Sequence, residues 1–509
     1  MTPLRLGIAT ALVAAAAYAL TLPDYGLVSD EGNYLESSRR LFGWGAHLTA
    51  SVRQGEPGRA FDDDVLGDSW RWGGDRIPHP PFAREVAGLS GWLLFGRTDL
   101  LTGYRFLGTL VAGSLAGAVA AWAARRGGAG AGVAGGAAFV LTPRLFAHAH
   151  FALTDVLLSA LVFLSLLCAA EGGRRTFAAG GGLWGLALAT KFSAALLPAV
   201  LLPWLLLFRR ERLRDLPIFA AAAALAFTAV NPVVWVDPAG AAVEYVRQGV
   251  GRRGIALDQL PTFYLGRTYV FRPPWHYPLV MLAATLPPGI LALSATGAVA
   301  GLRRPQARPA AALALGVAAA FVGALLLPSA PLHDDVRLLL PIFPFLALLA
   351  GLGAGALLRA RRLGAVAAVA VVAALLEPAV ALVRIHPYQA SYFSPLVGGL
   401  AGAERLGLEV TTLKEVLAPD VYADLNGVLP RGATLDGGPF LHEDLLHAQR
   451  FGWLRDDVRV GRDPDSDYLL LVNRRGWFRD TDLAVARTAR PAYSVRVDGV
   501  PLLALYRLR

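Results

Sequence analysis

The stretch LRLGIATALVAAAAYALTLPDYGLVSDEGNY, residues 4–34, carries an apolar run at 4–22 into two adjacent carboxylates, Asp30 and Glu31. A helix crosses a bilayer with about 20 predominantly apolar residues, so the run reads as a membrane span. Carboxylates at the edge of lipid are costly to place and mark functional sites by default. Whether this is one anchor or the first of many spans decides the fold.

Similar runs recur at 101–123, 128–143, 153–170, 176–190, 193–208, 216–235, 277–300, 309–328, 337–357 and 363–383. The chain therefore reads as an α-helical polytopic membrane protein with about eleven transmembrane helices. The pair at 176–208 is the weakest, because Lys191 separates two short runs. A cleavable signal peptide over 1–20 is the lesser alternative for the first run. Composition agrees: of 509 residues, 55% are hydrophobic and 17% charged, with a mean hydropathy of +0.47. A soluble chain carries charge on about a quarter of its residues.

The net charge of +10 does not point to nucleic acid. Its arginines gather in alternate short loops, as Arg125-Arg126, Arg174-Arg175, Arg209 to Arg214, Arg303 to Arg308 and Arg359 to Arg362, with only Glu171, Glu211 and Asp215 among them. This is the positive-inside pattern. It places the N-terminus in the cytoplasm of a bacterial inner (cell) membrane and the C-terminus outside. The only cysteine, Cys168, falls within a span, so no disulfide framework is predicted. Lysine occurs only at 191 and 414.

Three regions face outward. Residues 23–100 include Asp62-Asp63-Asp64, read as a solvated loop, and turn at His79-Pro80-Pro81 into an interfacial helix over 82–96. Residues 236–276 form the second. The tail, 385–509, alternates β-type runs (434–437, 468–473, 493–497, 501–507) with helical patterns (413–426, 441–450), which predicts a small extracytoplasmic α/β domain. Residues 1–384 then form the transmembrane domain.

The polar candidates choose one side. Asp30-Glu31 follows the first span, His148, His150 and Asp155 open the fourth, Lys191 divides the fifth from the sixth, and His333-Asp334-Asp335 with Arg337 precede the tenth. Such ends can converge on one outer cavity. A carboxylate there can take a proton from an attacking acceptor, and an arginine fork can offset charge on a leaving phosphate. His148 and His150, two apart on a helix, do not face the same way, which disfavours a shared metal. The plain alternatives are that Asp30 caps the next helix and that Lys191 and Arg337 snorkel from span ends.

Several motifs together resemble polytopic GT-C glycosyltransferases of the protein O-mannosyltransferase and lipid A aminoarabinose transferase group. They are Ser29-Asp30-Glu31-Gly-Asn-Tyr34, His79-Pro80-Pro81, Pro143 through Asp155, Thr190-Lys191-Phe-Ser193, Pro274-Trp-His-Tyr-Pro278 and Arg337-Leu-Leu-Leu-Pro341. The resemblance covers roughly 20–400. It implies a polyprenyl-phosphate sugar donor, an extracytoplasmic site and inversion at the anomeric carbon. Carried over residue by residue, it makes Asp30 the general base, with Glu31 assisting and Asp155 the second acid. Lys191 and Arg337 fall near the donor phosphate, and His79, His333, Asp334 and Tyr34 complete the substrate-binding set. Leu338 departs from the aromatic that bacterial relatives often carry after the arginine.

No cofactor is implied, and a divalent metal at His333, Asp334 and Asp335 is a weaker option because no ligand spacing supports it. The acceptor stays open among a protein hydroxyl, a lipid and an envelope glycan. The competing function is a multi-span transporter of a lipid-linked or small polar substrate. It lacks a convincing inverted repeat in the sequence.

Overall fold

The structure, a computed structural model, describes every residue except 73–78, 251–259, 271, 329, 331, 361, 363 and 462–464. Arg361 of the last basic loop, and the parts of the two outer loops that fall on those numbers, lie outside the described residues.

Each of the eleven apolar runs is helical over most of its length. Six helices among the described residues are long and apolar enough to cross a membrane unbroken: Pro3–Asp24, Leu100–Gly127, Thr154–Glu171, Arg308–Leu326, Arg337–Arg359 and Gly364–Arg384. The run at 277–300 is a broken pair, Tyr277–Thr285 and Pro288–Arg303, bent by 112°. Pro287 and Pro288 explain the break, since neither can donate an N–H to a continuing helix. The uncertain pair at 176–208 forms Arg174–Leu188 and Leu197–Phe208 with a 3₁₀ turn between them, and Lys191 stands at the junction.

Small residues bring the helices together, as expected where no hydrophobic force acts between apolar helices in lipid. Pro3–Thr21 lies against Leu100–Gly127 so closely that a Cβ on Gly117 would meet the Gly7 carbonyl oxygen at 2.5 Å. Pro288–Arg303 and Phe343–Arg359 interlock likewise, with Gly297 against the carbonyl of Leu349 and Gly353 against that of Leu293.

Between the first two of these spans in sequence, Glu31–Arg53 and Phe82–Leu93 pack against each other. The second is the predicted interfacial helix, and it exposes Leu89, Trp92 and Leu93, with Phe95 just beyond its end. The tail holds a five-stranded mixed sheet in the order Arg459–Gly461, Thr434–Asp436, Tyr468–Val472, Val500–Arg507, Tyr493–Val497. The first two pairings are parallel and the others antiparallel. Four strands fall on the predicted runs. Arg459–Gly461, too short and polar to show a period, and the helix Asp480–Thr488 do not. The helix predicted at 413–426 begins only at Pro419, because Lys414 takes a left-handed φ of 61°.

A hairpin, Thr262–Tyr264 with Arg267–Tyr269, packs on the tail through Glu409. This buried carboxyl accepts from the Phe263 N–H at 3.0 Å and faces the Gly476 N–H at 3.4 Å. Burial pushes it up to about 7, against the lowering pull of Arg474. The folded chain thus binds a proton that the unfolded chain releases near 4.5. That stabilisation is fully present below pH 4.5 and is lost as the pH rises through 7. The unfolding midpoint in detergent should fall between pH 4.5 and 7 and level off above that, and Glu409→Gln should flatten that slope. An identical slope in the variant would remove Glu409 from the explanation.

Candidate active site

Asp30 and Glu31 are neighbours in sequence and opposites in environment. Asp30 ends the loop before Glu31–Arg53 with φ 68°, a left-handed conformation that aspartate tolerates better than most residues. It stands at the N-cap position, yet its side chain makes no capping bond. The carboxylate instead points out, 52% exposed, and places Oδ2 2.9 Å from Arg337 Nη1.

Glu31 is fully buried and faces the other way. Arg105 grips it with two bonds, Nε to Oε1 at 2.8 Å and Nη2 to Oε2 at 2.6 Å. The Ala152 N–H donates to Oε1 at 2.8 Å and the Val28 N–H to Oε2 at 3.3 Å. Arg105 gives two further donors to the Tyr25 and Gly26 carbonyls, at 2.7 and 2.6 Å. The pair clamps the loop that carries Asp30, and Glu31 does not reach the cavity.

Asp30 borders a cavity of about 350 Å³ that also meets Tyr34, His79, Lys191, His333, Asp334 and Arg337. The predicted set thus converges, apart from Glu31 and Asp155. Asp155 lies one layer behind, only 2% exposed, holding Lys191 Nζ at 2.6 Å and Arg337 Nε at 2.9 Å. Neither cation snorkels: both are buried and fixed by the same carboxylate. Leu338, the departure from the bacterial pattern, lines the cavity beside them.

Arg337 is a hub. Besides Asp30 and Asp155 it meets Asp334 Oδ2 at 3.2 Å. Asp334 also takes Arg474 Nη2 at 2.8 Å and lies 3.2 Å from His333 Nδ1. Burial works against the Asp334 carboxylate, but His333, Arg474 and Arg337 outweigh it and hold it well below the usual carboxylate range. Asp334 and Asp335 both have positive φ, 51° and 61°, a conformation worth of order 1–3 kcal/mol of strain each in non-glycine residues. Asp335 turns the opposite way, to an ion pair with buried Arg144. His333, Asp334 and Asp335 therefore do not converge. Among the described residues no three His, Cys, Asp or Glu side chains are placed to hold a metal.

The roof of the cavity comes from the tail: Lys414, Phe440, Glu443, Asp444, His447, Arg474 and Trp477. The motifs did not reveal it. One signal was present, since Lys414 is one of only two lysines.

No family model matches this chain, and no curated protein does. Solved structures do. ArnT from Cupriavidus metallidurans, bound to undecaprenyl phosphate, aligns with a TM-score of 0.51 at 19% identity, over 98% of this chain and 97% of ArnT. The apo form gives the same values. The fold is that of ArnT. At that identity the likeness is one of architecture. It runs through the tail as well as the apolar helices, so the chain has an ArnT-like arrangement from end to end.

Proposed function

We propose that this protein is an inverting membrane glycosyltransferase that moves a sugar from a polyprenyl-phosphate donor to an extracytoplasmic acceptor. The observation that carries the reading is the pairing, at one cavity edge, of a half-exposed carboxylate with a buried arginine at 2.9 Å. The ArnT fold, solved with undecaprenyl phosphate bound, supports a polyprenyl phosphate as the donor lipid. The basic loops support a cytoplasmic N-terminus and an outward-facing cavity, with residues 385–509 as an α/β unit closing it from outside.

In this reading Asp30 accepts the proton of the acceptor as its oxygen bonds to the anomeric carbon. The bond from that carbon to the phosphate oxygen breaks, and the phosphate leaves with the electron pair. Arg337 and Lys191 offset its growing charge in a site partly closed to water. Asp155 orients the two cations, and Glu31 with Arg105 positions Asp30. The donor phosphate must compete for Arg337 with three carboxylates, so its arrival loosens Arg337 from Asp30 and frees the base.

Reconstitution tests the reading. Purified protein in liposomes, given undecaprenyl-phosphate sugars labelled in the sugar, should release undecaprenyl phosphate and a glycosylated product. Vesicle uptake of substrate with no glycosyl product would favour the transporter. Arg337→Lys keeps the charge but loses the planar fork, and kcat should drop about 100-fold, the scale for removing one charge-stabilising donor. An unchanged kcat would take Arg337 away from the leaving group.

A further inference from the structure

The cavity wall contributed by the tail is one face of the helix Gly438–Arg450. Phe440, Glu443, Asp444 and His447 recur at three- and four-residue spacing, so they share that face, and all four line the cavity. Asp444 is buried and holds Lys414 Nζ at 2.5 Å, while Lys414 lies 4.2 Å from the centre of the Phe440 ring. His447 packs against the chain two residues from Asp30: a Cβ on Gly32 would lie 2.7 Å from its Cδ2. Burial lowers His447, which favours the neutral ring. Glu443 is exposed and has no hydrogen-bond or ion-pair partner among the described residues.

The charges in and behind the cavity are already committed. Lys191, Arg337, Lys414 and Arg474 are each tied to a carboxylate, and Glu443 is left over. A phosphodiester donor brings one more negative charge. An acceptor ending in phosphate would add another beside the Glu443 carboxylate, which has no cation paired to it among the described residues. An uncharged acceptor adds none, and its O–H groups are the donors that a free carboxylate and a neutral imidazole nitrogen can accept.

We propose that the acceptor is an uncharged, hydroxyl-bearing molecule read by Glu443 and His447 on the tail helix. The inference rests on the glycosyltransferase reading above. One hydroxyl oxygen attacks the anomeric carbon and gives its proton to Asp30, while a neighbouring O–H donates to Glu443. The bond that breaks is the one to the donor phosphate, which leaves with its electrons.

The test uses the full-length protein in liposomes with labelled undecaprenyl-phosphate sugars. Three acceptors are offered: an acetylated and amidated Ser/Thr peptide, an alkyl glucoside and a phosphate-ended glycolipid. An uncharged acceptor should be glycosylated in preference to the phosphate-ended one. Glu443→Gln should raise the KM for that acceptor about tenfold, the worth of one charge-assisted hydrogen bond, with donor KM within twofold. Glu443→Lys should shift preference toward the phosphate-ended lipid. Preference of the wild type for that lipid, or an acceptor KM indifferent to Glu443→Gln, overturns this inference and leaves the glycosyltransferase standing. No transfer from any donor to any acceptor overturns both.

Discussion

Asp30→Asn should abolish sugar transfer while leaving the protein folded and membrane-inserted. General-base contributions run to about 10²–10⁴-fold, and asparagine keeps the shape while removing the basic oxygen. Folding should be spared because the side chain is 52% exposed and caps no helix. The left-handed φ of 68° is one that asparagine also tolerates. Arg337 retains Asp155 and Asp334, so its charge stays compensated. The measurement pairs transfer rate in liposomes with elution profile and unfolding midpoint in detergent. Turnover within a few-fold of wild type would move the base elsewhere.

Arg105→Met should have the opposite profile, a large loss of stability that takes activity with it. Both partners of the Arg105–Glu31 pair are fully buried. Removing one leaves an uncompensated charge, which costs about 3–5 kcal/mol. The Tyr25 and Gly26 carbonyls lose their donors as well. Low yield, aggregation in detergent and a strongly reduced unfolding midpoint are the expected readouts. Adding Glu31→Leu in the same chain should recover part of the stability, since an apolar replacement of a whole buried pair is often tolerated. A normally stable but inactive Arg105→Met would instead return Glu31 to the chemistry.

These two residues show how far the sequence can be read. The apolar runs were legible because bilayer thickness imposes a length that composition alone displays. The convergence of Asp30, Lys191, Asp334 and Arg337 was legible from sidedness and motif. The divergence of Asp30 and Glu31 was not, because adjacent letters carry no φ angle, and a single left-handed residue turns one carboxylate outward and the other inward. Nor was the roof. Glu443, Asp444 and His447 look like the solvated face of an ordinary surface helix until the tail folds back over Gly32. Arg474 offered no pattern at all, since its partner Asp334 lies 140 positions earlier. The 112° break at Pro287 was hidden inside a hydrophobic run of full spanning length.

The turn at Asp334-Asp335 joins parts of the chain that are made at different times. One aspartate is tied to Arg144 among the membrane helices and the other to Arg474 in the tail. A chain still emerging from the ribosome, with its spans already inserted, has Asp30, Asp155, Lys191 and Arg337 but neither Arg474 nor any of the roof. Its floor is complete while the cavity still lacks its roof. Maturation of this site is thus a late event in biogenesis, and a truncated product would carry the motifs without the chamber they need.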